Sequence, residues 1–447
     1  LAFGVYIYRA CSSQAFACSN VKSSEKLMHN RILPIVAGAV LVLGVVLVAI
    51  GSQRLLRPES IQDSLETLQD LPFDEFVDAS YKQILLRSPE LVTSMGLSQL
   101  LGTRDDQLDD ICYNYVDETY QLMAGIRDIL ATHDRSTLNY EQQVSYDSYA
   151  WLLDDWDRQH DYMYHFYPVT HGISRQNDLF RFFEDVHPME TVENVEDYVA
   201  RLWQVDDQFD CLVQNLADSE AQGVMAPAQM LQRAADRVRY VVPGSATSLR
   251  FYTTLETKSA AIGGLSPLMR QDLLTEAIQA IDESVIPAYQ ALVAALDAQV
   301  PRAPAMNGVW QLPDGDSFYD TMLRHHTTTD LSAEEIHQKG LDEVTRIRGE
   351  ILAVFEQLGY PDGETFGQLY ERVAQDSGLV PPAEIVPLIE SFISQAEEDV
   401  KEVFDIAPQA EVIVIGTAGG GFYVAGSLDG SRPGACLLYT SDAADDN

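Results

Sequence analysis

Apolar residues recur every three or four positions over most of the chain, which is the spacing of amphipathic α-helices. The pattern is clearest where Ile336, Leu341 and Val344 mark one face of a long helix. Ser332 and Glu335 predict a capping box at the start of that helix, because each side chain can bond the backbone N–H of the other residue. The pattern therefore predicts a large multi-helix body that is mainly α.

Two further features set helix boundaries. Ser266 followed by Pro267 predicts a helix start, since serine accepts a bond from a free backbone N–H and proline loses nothing in the first turn. Pro287 predicts a kink, because proline removes one backbone donor from the helix interior. Residues 301–316 are rich in proline and glycine, which predicts a loop.

The pattern changes near the C-terminus. Residues 410–415 are rich in β-branched side chains, and the run Gly419-Gly420-Gly421 precedes Phe422, Tyr423 and Val424. We predict two strands here. They form the start of a small β-sheet near the C-terminus of the helical body.

An uncharged apolar run begins at Ile32 and ends at Ile50, and its length suits a bilayer crossing. We predict one N-terminal transmembrane helix that acts as an uncleaved signal anchor, and a cleaved signal peptide is the alternative. Arg31 precedes the run while Arg54 and Arg57 follow it, so the flanking charges do not fix its orientation. A large acidic body after one anchor favours export to the periplasmic or extracellular side.

These patterns divide the chain into five parts. Met28 is a plausible true start, so residues 1–27 are predicted to be upstream non-native sequence. The remaining parts are a signal anchor (28–53), a linker (54–71), an incomplete helical domain (72–434) and a stretch that resembles translated sequencing-adapter sequence (435–447).

Composition excludes one class of partner. The formal net charge is −39, with 68 acidic against 29 basic residues. A protein that binds nucleic acid neutralises phosphates with lysine and arginine, so nucleic acid is not an expected partner. The acidic surface suits a salt-exposed compartment or serves solubility alone.

Two cysteines fall within the predicted domain, Cys112 and Cys211. A single distant pair is neither a disulfide framework nor a zinc site. We expect buried thiols, and one structural disulfide is the alternative in an oxidising compartment.

Several short motifs occur in a fixed order. They are DLF at 178–180, HP at 187–188, IPAY at 286–289, LRHHTTT at 323–329, EEIH at 334–337 and SLDGSRPG at 427–434. In this order they resemble the DUF885 family, over about residues 71–434. The resemblance implies a large helical protein similar to the gluzincin class of zinc metallopeptidases.

The zinc motif of such enzymes places two histidines four residues apart on a helix, with a glutamate beside the first as general base. None of the nine histidines here is followed by glutamate. We therefore expect no catalytic residue, metal ligand or bound zinc in this chain, and interpret it as truncated before the motif. Zinc is expected in the complete protein.

The resemblance places His325 and His326 near the family's substrate cleft, where they would bind a peptide. The alternative is polar structure at a helix end that positions the threonine-rich turn. Tyr423, Asp429 and Arg432 are also candidate substrate-binding residues, because they fall in the stretch that resembles the family's approach to the zinc helix. Tyrosine can stabilise an oxyanion and arginine can bind a carboxylate, so both suit peptide hydrolysis. An Asp-Gly turn with a surface arginine is the alternative for the last two.

Glu334 and His337 lie three residues apart on one predicted helix, a spacing that carboxylate-bridged metal sites use. An acid in the first helical turn is also favoured by the helix dipole, which explains Glu334 without a metal.

Two functions from different classes follow. The first is a truncated, membrane-anchored, zinc metallopeptidase-like protein, which hydrolyses peptides when complete and is inactive as this chain. The second is a non-catalytic helical binding or scaffold protein at the membrane. The sequence does not decide whether the chain is an enzyme, nor its oligomeric state.

Overall fold

The computed structural model describes residues 60–404, 410–417, 421–428, 430 and 432–439, apart from residues 173, 243, 306, 307, 362 and 379. The described part is mainly α-helical and ends in a small β-sheet. Its first helices are α1 (Ile61–Leu68), α2 (Phe73–Leu85), α3 (Pro89–Met95), α4 (Ser98–Leu101), α5 (Tyr113–Leu130) and α6 (Tyr140–His160). The central helices are α7 (Arg175–Arg181), α8 (Val192–Leu202), α9 (Val205–Ala221), α10 (Ala228–Val241), α11 (Arg250–Ser259), α12 (Pro267–Ala280) and α13 (Ile286–Gln299). The last helices are α14 (Gly315–Thr327), α15 (Ala333–Gln357), α16 (Phe366–Ser377) and α17 (Pro382–Asp399).

Helix starts follow the local signals in the sequence. The predicted capping box between Ser332 and Glu335 is present at the start of α15. Ser266 accepts a bond from the N–H of Met269 and opens α12, as expected. A π-helical turn at Ile281–Val285 separates α12 from α13, and Pro287 lies in the first turn of α13. The chain thus changes its hydrogen-bonding pattern just before the residue that lacks a donor.

The helices enclose two hydrophobic cores. The smaller core lies among α1, α2, α5 and α6, where Phe76, Ile126 and Leu153 are almost fully buried. The larger core lies among α7 to α13 and includes Phe209 and Tyr289, whose rings are 4.5 Å apart between centroids. Burial of these apolar side chains is the main favourable contribution to folding.

Arg201 on α8 is a fully buried arginine inside the larger body. Its guanidinium donates hydrogen bonds to the carbonyl oxygen of Gln107, to Nδ1 of His187 and to Oγ1 of Thr93, at 2.9, 2.7 and 2.6 Å. Thr93 in turn donates to a carboxylate oxygen of Asp105. Burial lowers the pKa of Arg201 to about 10, so the guanidinium remains charged at neutral pH. The network ties the segment between α3 and α5 to α8.

A second buried network joins the same segment to α7 and α9. Glu90 and Asp109 each accept a bond from the backbone N–H of the other residue, both at 2.9 Å. Arg175 donates two bonds to the carboxylate of Glu90, and Gln208 donates to Glu90 and to the carbonyl of Asp109. Burial, with the nearby charge of Glu90, raises the pKa of Asp109 to about 6. Burial also favours the neutral form of Glu90, but the charge of Arg175, together with the hydrogen bonds from Arg175, Asp109 and Gln208, outweighs it and holds the pKa of Glu90 below its usual value.

Cys112 and Cys211 form a disulfide across 99 residues of sequence. Of the two alternatives left open by the sequence, the structure shows the disulfide. Cys112 precedes α5, which belongs to the smaller core, and Cys211 lies within α9, which belongs to the larger core. The bond therefore links the two packed bodies covalently.

The sheet contains β1 (Val412–Thr417), β2 (Phe422–Val424) and β3 (Gly434–Tyr439). β3 lies in the middle, parallel to β1 and antiparallel to β2. The two strands predicted from the sequence are present, whereas β3 was not predicted. β3 extends into residues 435–439, whose assignment to adapter sequence concerns their origin and stays a prediction.

The predicted fold class needs a correction, which concerns its transmembrane helix. The apolar run from Ile32 to Ile50 lies outside the described residues. Within the described part, no helix combines the length and the apolar character needed to cross a bilayer. The physical reason is that these helices carry apolar residues on one face and charged residues on the other, as helices packed beside water do. The corrected fold class is mainly helical with a three-stranded sheet.

We predict that replacing Arg201 by methionine lowers the free energy of unfolding by about 3–5 kcal/mol, because the buried Thr93 and His187 would lose their hydrogen-bond donor and the half-buried Asp105 would lose the nearby positive charge. Urea unfolding followed by circular dichroism measures the change. The matched control is Arg239→Met, since Arg239 forms only exposed ion pairs with Asp236 and Asp297 in the described part. A loss for Arg201→Met no larger than for the control would contradict a structural role of this network.

A further prediction concerns pH. Nε2 of His187 donates to the carbonyl of Asn194 and Nδ1 accepts from Arg201, so the folded protein holds a neutral imidazole. Burial, with the charge of Arg201, lowers the pKa of His187 from 6.5 to about 3. Between these two pKa values the imidazole of His187 is protonated in the unfolded chain but neutral in the folded chain. The free energy of unfolding therefore falls as the pH drops from about 6.5 toward about 3.

His187→Gln preserves one donor and one acceptor but does not titrate in this range. We expect the wild type to lose up to about 1.4 kcal/mol more per pH unit than His187→Gln between pH 6 and 4. Urea unfolding of both proteins at several pH values gives the difference in the free energy of unfolding. The contributions of Asp109 and of the other titratable groups that both proteins share cancel in this difference. Equal pH dependence in the two proteins would show that His187 is not held neutral.

Candidate functional site

α14 carries the histidine pair and is fixed at its N-terminal end by aromatic packing. Phe318 is buried against the rings of Tyr162, His165 and Phe166, which follow α6. His165 also reaches the carbonyl oxygen of Pro313 with Nε2 at 2.7 Å. This contact region sets the orientation of α14 relative to the end of α6.

His325 lies near the C-terminal end of α14 and faces α6. Its Nδ1 is 2.7 Å from Oδ2 of Asp155 and 3.2 Å from Nε2 of Gln159. The side chain of Asp155 is 2% exposed, whereas that of His325 is 30% exposed. The pair therefore joins a buried carboxylate to an imidazole that solvent and small molecules can reach.

Asp155 makes its contacts through one oxygen. Oδ2 accepts from Nε2 of Gln159 at 2.8 Å and contacts His325, while Oδ1 is buried and has no partner in the described part of the chain. Burial, together with the negative charge of Asp155, raises the pKa of Tyr120 on α5. Because Oδ1 lacks a hydrogen bond, the stability of the buried carboxylate depends strongly on the hydrogen bonds that Oδ2 accepts.

The residues on either side of His325 are polar. Arg324 forms ion pairs with Asp154 on α6 at 3.6 Å and with Asp330 at 3.3 Å. His326 is exposed, and its ring centroid is 4.8 Å from that of His325 in an edge-to-face arrangement. The two histidines thus differ, since His325 is paired with Asp155 and His326 faces solvent.

The threonines after His326 end the helix. Thr328 adopts a left-handed backbone conformation, and its N–H donates to the carbonyl oxygen of Arg324 at 2.8 Å. The Thr327 hydroxyl bonds back to the carbonyl of Leu323 at 2.7 Å. The helix-end interpretation of the motif therefore describes the threonines and His326, whereas His325 has the additional contact with Asp155.

Arg432 lies in a different place, beside α3. Arg432 donates from Nη2 to the carbonyl oxygen of Ser94, and its backbone N–H donates to the Ser427 hydroxyl, both at 2.8 Å. Tyr423 lies on β2 opposite Cys436, and 56% of its surface is exposed. Asp429 lies outside the described residues. His325 thus contacts α6 whereas Arg432 contacts α3, and the roles of both residues in substrate binding stay predictions.

Asp155 is the residue that sequence reasoning missed. It lies on α6 between Leu153, which is fully buried, and Trp156. The available signal was an acidic residue inside an otherwise buried stretch, because a buried carboxylate needs a partner. The identity of that partner, 170 residues away in sequence, was not accessible from spacing.

The described residues do not form a zinc site. Glu334 and His337 are both exposed on α15. Within the described part, one group of three potential ligands comes together, formed by Asp110, Cys112 and Cys211. The two cysteines are joined in a disulfide, which removes the thiolates that zinc binds. The donor set therefore does not fit a catalytic zinc.

A profile of the family described as "Bacterial protein of unknown function (DUF885)" matches residues 89–447. The chain therefore belongs to this family. No curated protein matches the chain in sequence.

Two solved structures share the fold. One is described as "the putative lipoprotein from Colwellia psychrerythraea", with a TM-score of 0.75, 21% identity, and coverage of 84% of this chain and 69% of that chain. The other is described as "a putative lipoprotein of unknown function from Shewanella oneidensis", with a TM-score of 0.56, 14% identity, and coverage of 83% and 65%. At these identities the likeness shows a common fold and carries no information on activity.

Proposed function

We propose that this protein is the peptide-binding helical body of an exported, peptidase-like member of its family, with His325 as a contact for bound peptide. The observation that carries the proposal is the pairing of a reachable imidazole with a buried carboxylate, an arrangement that proteins use to orient a histidine toward a ligand. The resemblance of the family to zinc metallopeptidases supplies the substrate class.

Export has separate support. A disulfide between Cys112 and Cys211 forms and persists in oxidising compartments, such as the periplasm or the extracellular space. Both structural neighbours carry the description "putative lipoprotein", which agrees with an exported body associated with a membrane. The proposal therefore places the folded body outside the cytoplasm.

Zinc remains a proposal for the peptidase-like protein as a whole. The chain spans 69% and 65% of the two structural neighbours, and the described residues supply no fitting donor set. No step of the proposed peptide binding uses a metal. The contribution assigned to this chain is to bind and orient the peptide.

We predict that the wild-type protein binds fluorescein-labelled unstructured peptides, and that His325→Gln weakens binding about threefold to tenfold, the value of one hydrogen bond. Fluorescence anisotropy measures the affinity. His337→Gln is the matched control, because His337 is exposed and lies on α15, whereas the pair lies on α6 and α14. The same samples are assayed for hydrolysis and for metal content by mass spectrometry.

Equal losses for the two variants, or no binding by the wild type, would contradict the proposed role of His325. One tightly bound zinc ion per chain would contradict the conclusion that the donor set is missing. Hydrolysis without such a metal would show a different chemistry from the one that the resemblance implies.

A second candidate function, a helical scaffold, is favoured by the surface of α15. Leu341, Val344, Ile347 and Val354 are each more than 40% exposed along this helix. A cavity of about 300 Å³ separates α15 from the beginning of α16. Exposed apolar surface of this extent is typical of a protein interface.

The charge of this region indicates the kind of partner. Residues 333–404 contain sixteen acidic and five basic residues. An apolar stripe beside so many acids favours a basic amphipathic helix as the bound partner.

We predict that a synthetic basic amphipathic helix binds the protein, and that the double variant Val344→Ser with Ile347→Ser weakens binding about tenfold or more, because two apolar contacts are lost. Leu268→Ser on α12 is the control, since Leu268 is also strongly exposed but distant in sequence. A scrambled peptide of the same charge tests for attraction without an apolar face. Equal binding of the scrambled peptide would contradict the scaffold function.

A further inference from the structure

We propose that Asp155 is a positioning residue that holds His325 in the tautomer protonated on Nδ1. Nε2 of His325 then serves as a hydrogen-bond and proton acceptor toward a bound ligand. The proposal rests on the proposed peptide-binding function for the identity of the ligand, whereas the tautomer follows from the geometry of the pair.

The distances decide where the proton lies. Oxygen Oδ2 of a carboxylate can only accept, so a separation of 2.7 Å from Nδ1 of His325 requires a proton on that nitrogen. The amide nitrogen of Gln159 can only donate, and it lies farther from Nδ1, at 3.2 Å. The amide instead donates to Oδ2 of Asp155 at 2.8 Å. The contact between Asp155 and His325 is therefore the one that fixes the tautomer.

The burial of Asp155 favours the tautomer of His325 that is protonated on Nδ1 over the other tautomer. Its Oδ1 has no partner within the described part, so the bonds from His325 and Gln159 at Oδ2 compensate for the lost hydration of the carboxylate. Rotation of the imidazole would remove one of those two bonds and leave a buried charge less satisfied. The carboxylate thereby restrains both the ring orientation and the proton position of His325.

Nε2 of His325 has no partner in the described part, and the side chain is 30% exposed. In the neutral ring this nitrogen carries a lone pair, so it accepts a bond from an N–H or O–H group. Peptide N–H groups, hydroxyl groups and water belong to this class. When a proton is transferred, it moves from the ligand to Nε2, the ring becomes an imidazolium that keeps its Nδ1 proton, and Asp155 remains a carboxylate.

The charged and titratable groups around the pair are few. Arg324 and His326 flank His325 on α14, and Tyr120 faces Asp155 from α5. On α6, Asp154 precedes Asp155, and Arg158 forms an ion pair with Asp154 and also interacts with the charge of Asp155. Arg324 is held by Asp154 and Asp330, so its charge is compensated. Asp155 is thus the acid in direct contact with the imidazole of His325.

The first test is the tautomer itself. Histidines are labelled with ¹⁵N, and long-range ¹H–¹⁵N correlation spectra at neutral pH distinguish the protonated from the unprotonated ring nitrogen. His325→Gln assigns the signals of His325. We expect the Nδ1–H form in the wild type and a larger population of the Nε2–H form in Asp155→Asn, whose amide is a weaker acceptor. An Nε2–H form in the wild type would overturn the proposal.

The second test asks whether Asp155 acts through His325. Peptide affinity is compared among the wild type, Asp155→Asn, His325→Gln and the double variant. We expect each single variant to weaken binding about threefold to tenfold, and the double variant to be no weaker than His325→Gln alone. Additive losses would overturn the positioning role, because they would show independent contributions of the two residues.

The two experiments separate this proposal from the function on which it rests. If the wild type binds no peptide but shows the Nδ1–H tautomer, the peptide-binding function fails and the positioning role remains. If peptide binds but the tautomer is Nε2–H, the positioning role fails alone. Circular dichroism verifies folding, and if Asp155→Asn does not fold, the tautomer of the wild type still decides the question.

Discussion

The buried guanidinium of Arg201 is the interaction on which the arrangement of the N-terminal and central helices depends. A charge in this position is costly unless its donors are satisfied, and three parts of the chain must meet it at once. Thr93 comes from α3, Gln107 from the loop after α4, and His187 from the turn before α8. Because apolar contacts are tolerant of small shifts while a buried guanidinium is not, Arg201 selects one relative position for these segments.

The pair formed by Glu90 and Asp109 also fixes the position of the segment between α3 and α5. Reciprocal bonds between side chain and backbone join the start of α3 to the loop before α5, and Arg175 connects them to α7. The loop between β2 and β3 then contacts the far end of α3, where the N–H of Leu428 donates to the carbonyl of Met95. A short helix of seven residues thereby joins the larger core, the disulfide-linked region and the sheet. This explains how the chain keeps a large helical body in register with a small C-terminal sheet.

Local signals in the sequence predicted much of the fold, while contacts between distant residues could not be predicted. The starts of α12 and α15 follow from Ser266 and Ser332, because capping depends on residues three positions apart. β3 was not predicted, because all but its first residue lie in the stretch 435–447 that was interpreted as adapter sequence and excluded from the fold. The apolar stripe of α15 was recognised, but periodicity cannot show whether a stripe is covered. At the candidate site, His325 was identified from its motif, whereas Asp155 was not, because a contact between α6 and α14 leaves no trace in spacing.

The disulfide has one further consequence for how the protein withstands damage. The segment between Cys112 and Cys211 contains several surface turns, including the one after His160, where proteases commonly cut. A single cut there would leave two polypeptides joined through sulfur, and the fragments would separate only after reduction. In a compartment that contains proteases, such a bond lets a nicked molecule keep its two halves together and retain its shape.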